Sequence, residues 1–164
     1  MTARGTGFCP NCGTELADGP GLGGRPQCPN CMFVRYENPK VATGVVAERD
    51  GHILLVRRNH EPMLGKWSFP SGFVDAGEVV AEAAMRETFE ETGVQVRIDR
   101  LLGVYSSRGS AVVFIAYAGA IVSGEPVAGD EAFEVGMFLP EKLPDLAFPH
   151  DPAIVATWLA SREV

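Results

Sequence analysis

Gly72-Phe73-Val74-Asp75-Ala76-Gly77-Glu78-Val79-Val80-Ala81-Glu82-Ala83-Ala84-Met85-Arg86-Glu87-Thr88-Phe89-Glu90-Glu91-Thr92-Gly93-Val94 holds six acidic residues and one basic residue, a net charge of −5 in a chain whose total is −7. Read as a helix advancing about 100° per residue, the stretch gathers Glu87, Glu90 and Glu91 on one face, where like charges destabilise the helix. Such a face is offset either by water or by a divalent cation, and Mg²⁺ prefers a few carboxylates together with waters and substrate phosphates. On the other side Ala81, Met85, Phe89 and Thr92 form an apolar stripe expected to pin the helix against a sheet. The short side chains of Val80, Ala83 and Ala84 fall on the acids' own face and are expected to leave room above the carboxylates. Asp75 and Glu78 are spaced as a capping box at the start of the helix, and Gly93 stands at a C′ position. Arg86 is four residues from both Glu82 and Glu90, spacings that allow ion pairs on a helix surface.

The stretch resembles the Nudix box, G-x5-E-x7-R-E-U-x-E-E-x-G-U with U apolar, through Gly72, Glu78, Arg86, Glu87, Glu90, Glu91, Gly93 and Val94. The one departure is Thr88 at an apolar position, and Thr88 does not point with the acids. The resemblance implies a hydrolase that cuts the pyrophosphate of a nucleoside diphosphate linked to another moiety, with Mg²⁺ or Mn²⁺ as cofactor. It also implies site roles. Glu87, Glu90 and Glu91 would hold the ion together with the backbone carbonyl of Gly72, and Arg86 would orient the carboxylates. Glu87 or Glu91 would serve as general base. Glu78 would brace the loop behind them, unless it is a capping residue alone. Some relatives supply a further carboxylate from a loop; Glu131 and Glu134 lie in the corresponding region, and Glu134 is the candidate taken.

Cys9-Pro10-Asn11-Cys12 is echoed by Cys28-Pro29-Asn30-Cys31 with fifteen residues between the pairs, and these are the chain's only cysteines. C-x2-C-x15-C-x2-C is the spacing of a closed four-thiolate Zn²⁺ site, which is structural because no coordination position stays open. A disulfide framework is the alternative. Residues 1 to 8 carry no apolar run of the kind a secretory signal needs, so a reducing cytoplasm is the expected setting. Gly13 and the run Asp18-Gly19-Pro20-Gly21-Leu22-Gly23-Gly24 then read as the turn and hairpin tip of a ribbon too small to fold on its own core.

A zinc ribbon also raises nucleic acid as a partner. Arg25 is the only basic residue between Cys9 and Cys31, and the sequence pI is near 4.9, so the basic footprint of a phosphate-backbone binder is missing. The ribbon is expected to brace the catalytic domain or a homodimer, and the resemblance implies a small-molecule nucleotide as the partner. No apolar run approaches the length of a membrane span.

Asn38-Pro39 marks the joint between a ribbon of residues 1–38 and a catalytic domain of residues 39–164. In the second part Val41 to Glu48 and His52 to Arg58 read as a hairpin around Arg49-Asp50-Gly51. Asn59 to Ser71 reads as a loop, in which Trp67 and Phe69 either line a ring pocket or plug the core, the second being favoured. Val94 to Ser106 and Ala111 to Ile121 read as strands joined by Ser107-Arg108-Gly109-Ser110, followed by a short strand at Val135 to Leu139. Asp151 as N-cap and Pro152 at the first helical position open a last helix that runs through Trp158. The order is similar to the Nudix fold: α+β, a mixed sheet sandwiched between helices (α/β/α), preceded here by the small zinc ribbon.

A four-cysteine ribbon ahead of such a domain is similar to a bacterial group acting on ADP-ribose or FAD. NADH pyrophosphatases, a group that includes hydrolases of NAD-capped RNA, also carry a ribbon, but their proline-rich stretch after the box has no counterpart in Leu101 to Arg108. A non-catalytic ligand sensor is the remaining alternative, and loss of box acids would have favoured it. Among residues outside the box, Arg57, Arg58 and Arg108 are candidates to grip phosphate, Arg57 and Arg58 not both, because neighbours on a strand face opposite ways. His150 reads as a capping or surface residue, and Tyr105 and Tyr117 as sheet residues.

Overall fold

Two tetrapeptides with the same sequence fold into the same turn. In the computed structural model, which describes residues 7–19 and 24–162, the amides of Cys9 and Cys28 donate to Thr14 O and Phe33 O at 2.8 Å each. Those of Gly13 and Met32 donate back to Cys9 O and Cys28 O at 2.9 and 3.0 Å. Cys9, Cys28 and Leu16 are buried together, and two short strands, β1 (Ala17–Asp18) and β2 (Pro26–Gln27), pair antiparallel beside them. Residues 20–23 of the expected hairpin tip lie outside the described residues. The chain divides into the units Met1–Asn38 and Pro39–Val164.

In the second unit, alternation along two strands decides which side of the sheet each helix covers. Strands β3 (Lys40–Arg49) and β4 (His52–Arg58) form a hairpin whose register brings Arg49 opposite His52 across Asp50-Gly51. Val45, Ala47 and Leu54 face one way and Val46, Ile53 and Leu55 the other, and all six are buried. The first side packs on helix α1 (Val80–Thr92) through Ala84, with Val94 and Val96 beyond it. The second side packs on helix α2 (Asp151–Ala160) through Ile154, Val155 and Trp158. Between β4 and α1 come the two short strands β5 (Trp67–Ser68) and β6 (Ser71–Phe73), paired antiparallel with β4 and β3 respectively. After α1, strands β7 (Gln95–Ser106) and β8 (Val112–Ser123) form an antiparallel pair, and β8 lies parallel to β3 from Lys40 opposite Val112 to Glu48 opposite Ala120. Strand β9 (Ala132–Phe138) closes the other side antiparallel to β4. The result is a mixed seven-stranded sheet with a helix on each face, the expected α+β sandwich.

Four local expectations are corrected. The loop expected from Asn59 to Ser71 contains β5 and the first residue of β6, strands too short to show a period in sequence. Helix α1 begins at Val80 after an N-cap, Val79, that makes no side-chain cap bond. Only half of the expected capping box forms, before the helix: Asp75 N donates to Glu78 Oε2 at 3.1 Å, and Glu78 N to Asp75 O at 3.0 Å. The packed face of α1 is also rotated from the expected stripe. Ala83, Ala84, Thr88, Glu91 and Thr92 are buried, whereas Phe89 is 52% exposed. Ala83 and Ala84 are fully buried, and Ala84 packs into the core beneath the helix. Thr88 and Thr92 tolerate burial because their hydroxyls donate to the carbonyls of Ala84 and Thr88. At α2 the N-cap is His150, not Asp151. Asp151 instead sits in the first turn, where its Oδ2 accepts from Phe148 N at 2.9 Å. Gly93 ends α1 as expected, with φ of 71° and its N–H donating to Phe89 O. Phe69 is buried in the core and Trp67 packs against it, edge-on to Phe138 at 4.8 Å, which bears out the core role.

Candidate active site

Strand β6 delivers Ser71, Gly72 and Phe73 to the helix because it pairs with the first half of β3, Gly72 opposite Thr43. The Ser71 N–H donates to Glu91 Oε2 at 2.9 Å. A Cβ on Gly72 would fall 2.1 Å from Glu87 Cδ and 2.3 Å from each carboxylate oxygen. Glu87 therefore lies directly on the Gly72 backbone, and this contact requires glycine.

Arg86 organises the other acids. Its Nε and Nη2 donate to Glu78 Oε1 and Oε2 at 2.8 and 3.0 Å. Nη1 donates to Glu87 Oε1 at 2.9 Å and Glu90 Oε2 at 3.0 Å, and Nη2 also reaches Phe73 O at 3.2 Å. These five bonds match the five N–H groups of a guanidinium. The arginine holds the Glu78 carboxyl down to about 2 and is itself held firmly charged. Its bonds tie the loop before α1, the turn bearing Glu87 and the turn bearing Glu90 into one unit.

Glu91 is the opposite case. It is 5% exposed and makes no ion pair within 4.0 Å among the described residues. Burial pushes its pKa up to about 8 against the pull of the Ser71 amide, and Glu87 and Glu131 push it further the same way. Burial likewise raises the pKa of Glu87, opposed by Arg86. Four carboxylates (Glu78, Glu87, Glu90, Glu91) against one guanidinium leave a formal charge of −3 here when all are ionised. Among the described residues only Cys9, Cys12, Cys28 and Cys31 bring ligand atoms within 4.8 Å of one another. Arg86 Nη1 draws Glu87 and Glu90 to one nitrogen, whereas Glu91 turns to the Ser71 amide.

The structure brings together Gly72, Glu78, Arg86, Glu87, Glu90 and Glu91. It places Glu134 on β9 opposite Arg57, whose Nη1 it meets at 3.3 Å. Glu131, three residues earlier, is the loop acid that acts on both Glu87 and Glu91. Arg58 is buried, donates to Pro62 O at 2.9 Å and lies 5.3 Å over the Phe148 ring, with Glu91 and Glu131 among the acids that favour its charge. Arg108 is exposed in the β7–β8 turn. His150 stacks among Tyr105, Phe114 and Phe148 at 5.1 to 5.9 Å. The Ser71 amide, which no side-chain pattern announces, is the partner that sequence reasoning missed.

A family profile described as NUDIX domain matches residues 38–159. The ADP-ribose pyrophosphatase of Methanocaldococcus jannaschii is 43% identical over 124 residues, 73% of this chain and 73% of that protein. The NAD-capped RNA hydrolase NudC of Chromobacterium violaceum is 34% identical over 144 residues, and the match spans 87% of this chain but only 53% of that longer protein. Among solved structures, a NUDIX hydrolase from Nitrosomonas europaea superposes with a TM-score of 0.86 at 32% identity, covering 96% of this chain and 92% of the other.

The buried Glu91 carries a pH signature. Its folded-state pKa of about 8 lies above the ordinary 4.5, so the ion-free folded chain keeps a proton that the unfolded chain has released. Its contribution to stability is expected to fall as pH rises from about 5 to 8, by up to about 1.4 kcal/mol per pH unit, and to level off above. Urea unfolding of metal-free protein at pH 6, 7 and 8 measures that slope, and Glu91→Gln should flatten it.

Proposed function

Because the chain belongs to the NUDIX family and is a NUDIX hydrolase, we propose that it is a divalent-metal-dependent pyrophosphatase acting on a nucleoside diphosphate linked to another moiety, with ADP-ribose or a flavin dinucleotide as the substrate class. The observation that carries this is the charge deficit: four carboxylates, one of them buried without an ion pair among the described residues, around a single arginine. An all-oxygen donor set of this kind suits Mg²⁺ or Mn²⁺. Glu87, Glu90 and Glu91 with the Gly72 carbonyl are the groups that would hold the ion, and a cation there would compete with Arg86 for Glu87 and Glu90. When bound, the ion supplies neutralisation of the pyrophosphate and acidification of water.

The chain's own residues do the rest. Water adds to one phosphorus, the bridging P–O bond breaks, and two monophosphates leave. The proton released from the water needs an acceptor beside the attacked phosphorus. Glu91 and Glu87 are the candidates, because burial raises the proton affinity of each. Arg86 keeps Glu87 and Glu90 oriented, and Glu78 keeps Arg86 in place by two charge-assisted bonds. Glu131 is the loop carboxylate we assign to the cluster in place of Glu134, whose partner is Arg57.

NADH or NAD-capped RNA is the second substrate reading, favoured by the relative from Chromobacterium violaceum. Against it stands Leu101 to Arg108, most of which lies in strand β7, without proline. The four cysteines we assign to a structural Zn²⁺. Their sulfurs lie 3.5 Å apart (Cys9 to Cys31 and Cys12 to Cys28) and 3.7 Å apart (Cys12 to Cys31). Those separations are far beyond a disulfide bond and close to the roughly 3.8 Å between thiolates on one tetrahedral zinc. Reduced thiols fit a cytoplasmic setting. No helix among the described residues is long and apolar enough to cross a membrane. A homodimer is the assembly we expect.

Incubation with Mg²⁺ or Mn²⁺ and a panel of ADP-ribose, FAD, NADH and nucleoside triphosphates is expected to release AMP and a second monophosphate from the first two. Glu87→Gln should lower turnover at least about 100-fold while the circular dichroism spectrum stays native; a variant within a few-fold of wild type would remove Glu87 from the site. Gly72→Ala should act in the same direction, because its methyl group takes the place of the Glu87 carboxylate, and a loss near 100-fold is expected. Elemental analysis is expected to find about one zinc per chain; oxidised, metal-free cysteines would contradict the assignment.

A further inference from the structure

The segment from Gly124 to Glu131, between β8 and β9, lies along the carboxy-terminal turn of α1. The last carbonyls of a helix lack intrahelical donors. Here Val127 N donates to Thr92 O and Gly129 N to Glu91 O, both at 2.9 Å. The approach is close enough that a Cβ on Gly129 would lie 2.2 Å from Glu90 O and 3.2 Å from Glu91 Cα. The segment is thus seated on the backbone of the two residues whose side chains carry acids of the site.

Its far end is fastened from another loop. Asn59 follows the last residue of β4, where the ladder with β9 skips a residue: Arg57 lies opposite Glu134 but Arg58 opposite Ala132. Beyond the skip, Asn59 takes over with two bonds, Nδ2 to Asp130 O at 2.7 Å and its backbone N to Glu131 O at 3.3 Å. Bulges of this kind re-aim side chains and recur beside active sites. The residues fastened here, Asp130 and Glu131, are the last two of the segment seated on α1.

We propose that Asn59 and Gly129 are positioning residues for the divalent-ion site: Gly129 seats the β8–β9 segment on the turn bearing Glu90 and Glu91, and Asn59 pins the far end of that segment so that it stays seated there. The inference rests on the metal-dependent reading above. Each acts through the placement of a carboxylate, so its loss weakens retention of the ion and spares substrate recognition.

The test follows Mn²⁺ directly, by the electron paramagnetic resonance signal of free Mn²⁺ in titrations of the full chain, alongside the Mn²⁺ dependence of ADP-ribose hydrolysis. Asn59→Ala and the isosteric Asn59→Asp, both lacking the donor to Asp130 O, are expected to raise the Mn²⁺ dissociation constant at least fivefold. KM for ADP-ribose at saturating Mn²⁺ should stay within twofold of wild type. Gly129→Ala should weaken Mn²⁺ more than either. In a Gly129→Ala background, Asn59→Ala should change Mn²⁺ binding less than 1.5-fold, because both residues act through the same seated segment. Mn²⁺ binding within twofold of wild type for both Asn59 variants, or an undiminished effect in the Gly129→Ala background, would overturn the proposal. A wild type that binds Mn²⁺ but cleaves nothing on the panel would overturn the functional reading alone, and one that binds no Mn²⁺ would overturn both.

Discussion

Helix α1 carries Glu87, Glu90 and Glu91 at the end where its dipole is already negative, and three like charges on one face repel one another as well. Arg86, on the same helix, offsets part of that repulsion, and the surroundings hold the rest. Arg86 gives two of its five bonds to Glu87 and Glu90 and the other three to Glu78 and Phe73 O, the Ser71 amide adds one to Glu91 from β6, and the amides of Val127 and Gly129 cover the terminal carbonyls. The sheet makes this possible by pairing β6 with β3, which brings Gly72 onto the Glu87 carboxylate. Much of the second unit can be read as the framework for one locally unfavourable helix turn, as expected where electrostatic strain is retained for binding.

What was legible in the chain follows from which features have local causes. The spacing of Glu87, Glu90 and Glu91 and the placement of Arg86 are set by helical geometry alone, and the structure assembles them as that geometry requires. Asp50-Gly51 marks the hairpin and Gly93 ends the helix for similarly local reasons. The paired knuckles of Cys9–Cys12 and Cys28–Cys31 were visible as a repeat and converge as one.

Features that depend on distant packing were not legible. Counting apolar residues gave Phe89 to the sheet, whereas close approach favoured Ala83, Ala84 and the self-bonded Thr88 and Thr92. Asp151 looked like a cap because caps favour aspartate, but its carboxylate answers the amide of Phe148 from inside the first turn. The skipped residue in the β4–β9 ladder, which sets Glu134 opposite Arg57, leaves no trace in periodicity either. The Ser71 amide belongs to the backbone, and backbone donors leave no mark in composition.

The parallel pairing of β3 with β8 has a further consequence for how the protein comes into being. The acid-bearing helix lies in the excursion between those two strands, so its packing surface is complete only after residues 112–120 join a strand begun at residue 40. Contacts so far apart in sequence form late and slowly. Nearly three-quarters of the polypeptide must therefore be made before the surface beneath that helix can close.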